Sequence, residues 1–440
     1  MTGSIRFLTL CVLGLCLLLG QVHAGSSKGC GKALNSKLKK GGTGQSNKIS
    51  LTRSNGAKRS FLLHFPANYD KNKPHGLIFS FHGRSGTAAG QESLSKLSES
   101  EKNKNMLVAY PTGIDKQWQG DPAAKTDDVG FTLDMINSIS DQYCIDPDRI
   151  YASGQSNGGG FSANILACHP EASRRIAAFA GVSGAYYQGT SDANCDANTV
   201  VINCNPGRKN VPIIEFHGKK DETIPYNGGK RRNRCLPNIP HFMRAWSHRN
   251  GYDTNSADSN LYNGHVKKME WGSGNLKGVN THYAIDNMPH TWPNAKNVSA
   301  TLTFHMSIYH NTNSPSQYYM NATPTIMEFF NKWTLATTPD ARVSRTTTTG
   351  TTTGTICPSK NGQTYNAGGK NFKISCSADT PKTPAYTGAT YPGSFAACMA
   401  QCAAEAQCGH AVYWKDKCWK KKGKPGVLKA GDFSRVGTKV

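Results

Sequence analysis

Short apolar runs recur along most of the chain, each bounded by turn-forming residues and separated by stretches of helical spacing. Phe61–Phe65, Gly76–Phe81, Met106–Tyr110, Arg149–Ser153, Ala177–Val182 and Val211–His217 read as strands. Gly130–Gln142 and Asn157–His169 carry apolar residues at helical intervals and read as helices. Continuous short runs interleaved with helices predict an α/β fold, with a mostly parallel sheet covered by helices on both faces. Two stretches resist this reading. Cys195 to Arg234 and Asn250 to Asn280 look loop-rich.

One apolar run is of another kind. Phe7 to Leu19 follows Arg6 and ends near Val22-His23-Ala24, a small-residue cleavage pattern. It is too short to span a bilayer, so it predicts a signal peptide over residues 1–24 and an exported, extracellular product with no membrane association. Near the other end, the Thr/Gly run from Thr346 to Thr355 has nothing to bury and predicts an extended linker over 341–356. It divides a body, 25–340, from a small module, 357–440. Asn297-Val-Ser and Asn321-Ala-Thr are N-glycosylation sequons.

Composition narrows the picture. A hydrophobic share of 37% is enough to fill a core and excludes a disordered chain. The 51 Lys plus Arg against 28 Asp plus Glu give a formal charge of +23, which points to an anionic partner. Nucleic acid is not expected, since no binding motif accompanies the charge and the chain is exported. Two of the 14 cysteines, Cys11 and Cys16, fall in the leader. The others form two even sets: Cys30, Cys144, Cys168, Cys195, Cys204 and Cys235, then Cys357, Cys376, Cys398, Cys402, Cys408 and Cys418. In an oxidising compartment this predicts disulfides confined to each half, with the pairing open. Zinc is the rival at Cys398, Cys402, Cys408 and His410, but no second paired set completes a finger, so no metal is expected.

The chemistry centres on Gly154-Gln-Ser156-Asn-Gly158, a G-x-S-x-G motif set between a strand pattern and a helix pattern. Strand, tight turn and helix make a nucleophile elbow, which exposes the Ser156 hydroxyl. The acid should follow, just beyond a strand. Asp221 fits best, with Glu222 and Glu215 as rivals. The base should come later still, from His241, His248, His265, His282, His290, His305 or His310. His290, in Met288-Pro-His-Thr-Trp-Pro293, is the best placed. Acyl transfer also needs donors for an oxyanion. The Gly-rich turn at His82-Gly83-Arg84 supplies one, assigned to the Arg84 N–H, and the Asn157 N–H supplies the other. His82, Gly83, Trp118 and Trp292 are candidate substrate contacts, Trp118 either stacking on a substrate ring or plugging the surface.

Together these residues resemble the secreted feruloyl esterase family of the α/β-hydrolase superfamily, itself similar to polyhydroxybutyrate depolymerases and some acetylxylan esterases. The resemblance covers about Leu51 to Trp333. It rests on Phe81-His-Gly83, Tyr110-Pro-Thr-Gly113 with Trp118-Gln-Gly120, Asp127-Asp-Val-Gly-Phe131, Cys144 to Ala152 running into Ser156-Asn-Gly-Gly159, His217-Gly with Asp221 and Ile224-Pro-Tyr226, and His290-Thr-Trp-Pro293. It implies Ser156 as nucleophile, Asp221 as acid and His290 as base, with no cofactor. One departure stands out: the family usually has glycine before the histidine, where this chain has Pro289, which is expected to reshape the pocket wall. The segment from Cys357 resembles a PAN/Apple domain through Phe372 to Cys376, Ser394 to Cys402, Cys408 to Trp414 and Cys418. That resemblance implies a small disulfide-rich α+β module taking a carbohydrate or protein ligand.

The function expected is a monomeric exported serine esterase that acts on plant cell-wall polysaccharide esters and releases hydroxycinnamic acids. The alternatives are an acetylxylan esterase, a polyhydroxybutyrate depolymerase, or a non-catalytic protein that binds polysaccharide or protein.

Overall fold

The computed structural model describes residues 25–338, except 54, 190, 191, 253, 254 and 295–318, and residues 363–439, except 368, 380–384, 386–394, 415, 416 and 424–428. The leader, the Thr/Gly run, Asn297, His305, His310 and Cys357 lie outside the described residues.

The body is built on one ten-stranded sheet. Its strands in chain order are β1 (Asn47–Thr52), β2 (Lys58–His64), β3 (His75–Phe81), β4 (Leu107–Pro111), β5 (Ile145–Gln155), β6 (Ala178–Val182) and β7 (Ile213–Gly218). A separate hairpin, β8 (Gly229–Arg231) and β9 (Arg234–Leu236), precedes β10 (Ala257–Leu261), β11 (Val266–Trp271) and β12 (Asn280–Ile285). The spatial order is β1-β2-β4-β3-β5-β6-β7-β12-β11-β10. From β4 to β12 every neighbouring pair is parallel, while β1, β2, β11 and β10 add antiparallel edges.

Side-chain alternation along the central strands builds a core on each face. Leu77, Phe79 and Phe81 of β3 point to one side, where they meet Phe131, Met135 and Ile139 of α2 (Asp128–Gln142). Ile78 between them joins the other side, with Ile326 and Phe330 of a C-terminal helix (Ala322–Lys332). Both faces are apolar, so these strands are continuous rather than alternating runs, as expected for parallel sheet. The arrangement is an α/β body with a mostly parallel sheet, as the sequence pattern predicts.

Four strands of the main sheet escaped the sequence pattern. The stretch taken as loop between Asn250 and Asn280 holds β10 and β11. β10 is an edge strand of largely exposed residues, Ala-Asp-Ser-Asn-Leu, so it lacks the buried run that signals a strand. β1 is the other edge, Asn-Lys-Ile-Ser-Leu-Thr, with no residue fully buried. Between the edges, β12 follows the loop-like stretch closely and its Asn-Thr-His start hides a fully buried strand.

The C-terminal segment has its own five-stranded sheet, ordered β13-β14-β17-β15-β16, where β13 is Thr364–Ala367, β14 is Lys370–Asp379, β15 is Cys408–Trp414, β16 is Lys417–Lys422 and β17 is Lys429–Lys439. One helix, Phe395–Ala404, packs against it. Cys398 and Cys402 sit one turn apart on that helix and reach Cys418 on β16 and Cys408 on β15. With these thiols consumed and His410 Nδ1 bonded to the Gly423 carbonyl at 2.8 Å, the zinc rival has no ligands left there. In the body, Cys30–Cys144, Cys168–Cys204 and Cys195–Cys235 are joined, so each described bridge stays within its half. Cys376 stands on β14.

Candidate active site

Ser156 ends β5 at φ 57° and ψ −120°, a conformation costing a non-glycine residue about 1–3 kcal/mol. Its surroundings hold it there: its N–H donates to the Val182 carbonyl at 2.9 Å, and its carbonyl accepts from Gly160 at 2.9 Å and Ala185 at 3.0 Å. The motif glycines are required by close approach. A Cβ on Gly154 would lie 2.3 Å from the Gly158 carbonyl carbon, and one on Gly158 would lie 2.2 Å from the Phe81 carbonyl oxygen. Asn157 opens the following helix (Asn157–Gly160, continuing as a π-turn over Phe161–Leu166), and a first-turn N–H has no acceptor within its own helix. The Asn157 side chain is clamped to the Trp118 backbone, accepting from its N–H at 2.7 Å and donating to its carbonyl at 3.2 Å.

Asp221 follows β7, on the same edge of the sheet as the elbow. Its Oδ1 accepts from the Thr223 and Ile224 N–H groups at 2.9 and 2.7 Å, which fixes the carboxylate plane. Its Oδ2 accepts from His290 Nδ1 at 2.7 Å. Burial alone would raise the Asp221 pKa, but the hydrogen bonds and charges of His217 and His290 outweigh it and hold the carboxylate well below its usual range. Among the described candidate histidines, His290 is the one bonded to this acid. His282 contacts Glu215 instead, and His241 bonds the Val200 carbonyl.

Ser156 and His290 line one cleft of about 270 Å³, together with Gly83, Arg84 and Asn157. A Cβ on Gly83 would sit 2.6 Å from Gln155 Oε1, so a side chain there would displace the Gln155 amide. Three candidate substrate contacts are corrected. Trp118 is fully buried, stacks with Phe161 and donates its indole N–H to the His82 carbonyl at 2.8 Å, so it is a core plug beneath the site. Trp292 is also buried and donates to Thr323 Oγ1 at 3.0 Å. His82 is buried and accepts from the Gly113 N–H at 3.1 Å, which braces the neighbouring loop. Each has its polar atoms committed inside the protein, and none lines the cleft. Pro289 is exposed on the loop after β12, next to His290, and is not itself among the residues lining the cleft.

No family model matches the chain. Among curated proteins it is 32% identical over 178 residues to feruloyl esterase B of Piromyces equi, covering 39% of this chain and 31% of that protein. It is 28% identical over 250 residues to feruloyl esterase D of Neurospora crassa, covering 53% and 77%. An acetyl xylan esterase structure from Aspergillus awamori is 17% identical, covers 56% of this chain and 95% of that one, and gives a TM-score of 0.43. In sequence the body is similar to these feruloyl esterases.

Behind the acid, the protein carries a buried group that the sequence reading passed over. His217, on β7, sits between Glu215 Oε1 at 2.8 Å from Nδ1 and the Ile224 carbonyl at 2.8 Å from Nε2, with Asp221 Oδ2 at 3.4 Å from the same Nε2. Acceptors face both ring nitrogens, so both carry protons and the ring is an imidazolium. Burial works against that charge, but Glu215 and Asp221 outweigh it and push the pKa up to about 10. On its other side Glu215 lies 2.7 Å from His282 Nδ1, and His282 Nε2 meets the Tyr226 hydroxyl at 3.1 Å. The signal was present: Glu215 and His217 are two residues apart in a strand, hence on one face, and polar residues inside a buried strand need partners.

The same cleft has a charged rim that the reading also missed. Arg231 and Arg232, at the tip of the β8–β9 hairpin, line it beside Arg84, Asp121 and Tyr187. Their position depends on a disulfide and a turn rather than on any run of sequence.

Proposed function

We propose that this chain is an exported serine carboxylic-ester hydrolase acting on plant cell-wall polysaccharide esters, most simply as a feruloyl esterase. The observation that carries the reading is the strained Ser156 elbow sharing a cleft with His290, whose other nitrogen is bonded to Asp221 at 2.7 Å. In this reading Ser156 Oγ attacks the ester carbonyl, and His290 Nε2 takes its proton. Asp221 holds the His290 tautomer and stabilises the imidazolium that forms. The backbone N–H groups of Asn157 and Arg84 bind the developing oxyanion. The alcohol leaves with a proton from His290, and water activated by the same base releases the acid.

The test is turnover of methyl ferulate by the wild type and by Ser156→Ala. Equal turnover would overturn the assignment. A second reading, an acetylxylan esterase, draws on a specific observation. With Trp118 and Trp292 buried, Tyr187 is the aromatic residue lining the described cleft, a weak platform for a cinnamoyl ring. Relative rates on methyl ferulate and acetylated xylan separate the two.

The reading includes removal of residues 1–24, an O-glycosylated linker over 341–356, and glycans at Asn297 and Asn321. Asn321 is partly exposed at the start of its helix, while the sequon Thr323 is buried under Trp292. The segment 357–440 serves as a PAN/Apple-like module for a carbohydrate or protein ligand, on a monomeric chain. Among the described residues no helix is long and apolar enough to cross a membrane. Pulldown of the full chain with insoluble xylan, cellulose and pectin, before and after cutting the linker, tests the module's part.

A further inference from the structure

The rim of the cleft is a basic hairpin held rigidly. Lys230-Arg231-Arg232-Asn233-Arg234 spans the β8–β9 turn, giving four cations in five residues. Cys235, one residue on, is fully buried, bridged to Cys195, and its carbonyl accepts from the Gln188 N–H at 2.8 Å. Arg232 and Asn233 turn the chain at φ 51° and 56°. Two-residue hairpin turns of this kind favour Asn and Gly, so an arginine there holds its place at a conformational cost. Such an outlier beside a candidate active site is grounds for a functional hypothesis.

The charges are organised toward the cleft. Asp121, with its side chain almost wholly buried, is the carboxylate among the residues lining it; its oxygens lie 3.2 Å from Arg232 Nη2 and 3.8 Å from Arg84 Nε. Arg231 Nε donates to the Tyr187 hydroxyl at 3.2 Å and pairs with no carboxylate among the described residues. Three guanidinium groups against one carboxylate leave the opening beside Ser156 positive. Arginine forks recognise carboxylates in a bidentate way, and groups already fixed in place lose little entropy when a ligand arrives.

We propose that this rim selects esters carried on uronate-bearing oligosaccharides, with Arg231 and Arg232 taking a sugar carboxylate near the scissile bond. The proposal rests on the esterase reading above and names its substrate class. It also gives the chain's positive charge a defined place at the site.

The experiment compares kcat/KM on acetylated glucuronoxylo-oligosaccharides with the same material after reduction of its uronate carboxyls to alcohols. In the wild type, carboxyl reduction should lower kcat/KM about tenfold, the contribution of one charge-assisted hydrogen bond, and high salt should shrink the difference. In Arg231→Gln/Arg232→Gln the ratio should fall to about one, and Arg231→Lys/Arg232→Lys should keep part of it, since charge without the fork gives weaker recognition. Should the variants not fold, the wild type decides alone: oligogalacturonate should inhibit p-nitrophenyl acetate hydrolysis where neutral xylo-oligosaccharide of equal length does not. Turnover that ignores carboxyl reduction, or a preference that survives the Gln variant, overturns the proposal and leaves the esterase reading standing. No turnover on any ester, p-nitrophenyl acetate included, overturns both.

Discussion

Two largely buried charge clusters serve the central sheet, and they are built for different ends. One joins the N-terminal edge to α2. Arg53 meets Asp127 and Asp134, each at 2.9 Å, and Arg59 meets Asp128 at 2.9 Å while its guanidinium lies 4.0 Å over the Phe131 ring. Asp128 also accepts from the Gln119 N–H at 2.8 Å and Thr126 Oγ1 at 2.9 Å, tying the Trp118 loop to the helix. The other lies behind the candidate site: Glu215, His217, Asp221, His282 and His290. Arginine charges are fixed across the working pH range, whereas histidine charges are not. Only the histidine cluster has one end on the cleft, at His290. A closed set of permanent ion pairs fixes geometry. An accessible imidazole held by a buried carboxylate can take a proton and return it.

That contrast is tested first where it is largest. Ser156→Ala or His290→Ala should cut kcat/KM on methyl ferulate by about 10^4 or more while leaving the thermal midpoint near that of the wild type. Asp221→Asn should cost about 10^3–10^4, because the amide favours the wrong His290 tautomer; a full-length, folded variant with wild-type rates would break the assignment of the histidine cluster to catalysis. In the arginine cluster the loss should appear in stability instead. Arg59→Ala leaves Asp128 buried and unpaired and should lower the unfolding free energy by about 3–5 kcal/mol by urea titration, with the folded fraction still turning over substrate. His217→Asn lies between the two. By letting Asp221 drift it should lower kcat/KM by about 10–100-fold and move the acid limb of its pH profile, a readout that simple loss of stability would not shift.

The smallest effect is the pH dependence of stability. His217 has a folded pKa raised to about 10 from 6.5, so its contribution is complete below 6.5 and is lost as pH rises through 10. Asp221 and Glu215 have lowered values, so theirs are present above the ordinary carboxylate range near pH 4 and are lost as pH falls. Unfolding free energies measured by urea should therefore peak between about pH 4.5 and 6.5. On the alkaline side the slope should reach at most about 1.4 kcal/mol per pH unit, and in His217→Asn that slope should vanish.

Much of the site was legible in the chain. Ser156 was fixed by its own neighbours, since Gly154, Gly158 and a strand-to-helix switch are local features. The central strands were legible because burial on both faces makes each an unbroken apolar run. The edges were not: β1 and β10 bury little, so their residues carry no run to find. Trp118 and Trp292 misled for the converse reason. An aromatic beside a motif looks like a substrate platform until packing shows that its indole N–H is already used. The motif Asp127-Asp-Val-Gly-Phe131 was noticed without a role, and it is the helix end of the arginine cluster.

By itself the sequence determined the fold class, a candidate nucleophile, a short list of acids and bases, and the division of cysteines between two halves, because each of these follows from local pattern or from counting. Tertiary structure alone decided which histidine meets Asp221, which cysteines pair, that His217 lies between Glu215 and Asp221 behind the acid, and that two arginines from a disulfide-pinned hairpin line the cleft with the serine. Those facts depend on side chains brought together from separate strands, helices and loops. Contacts of that kind are set by packing, which no short stretch of sequence records.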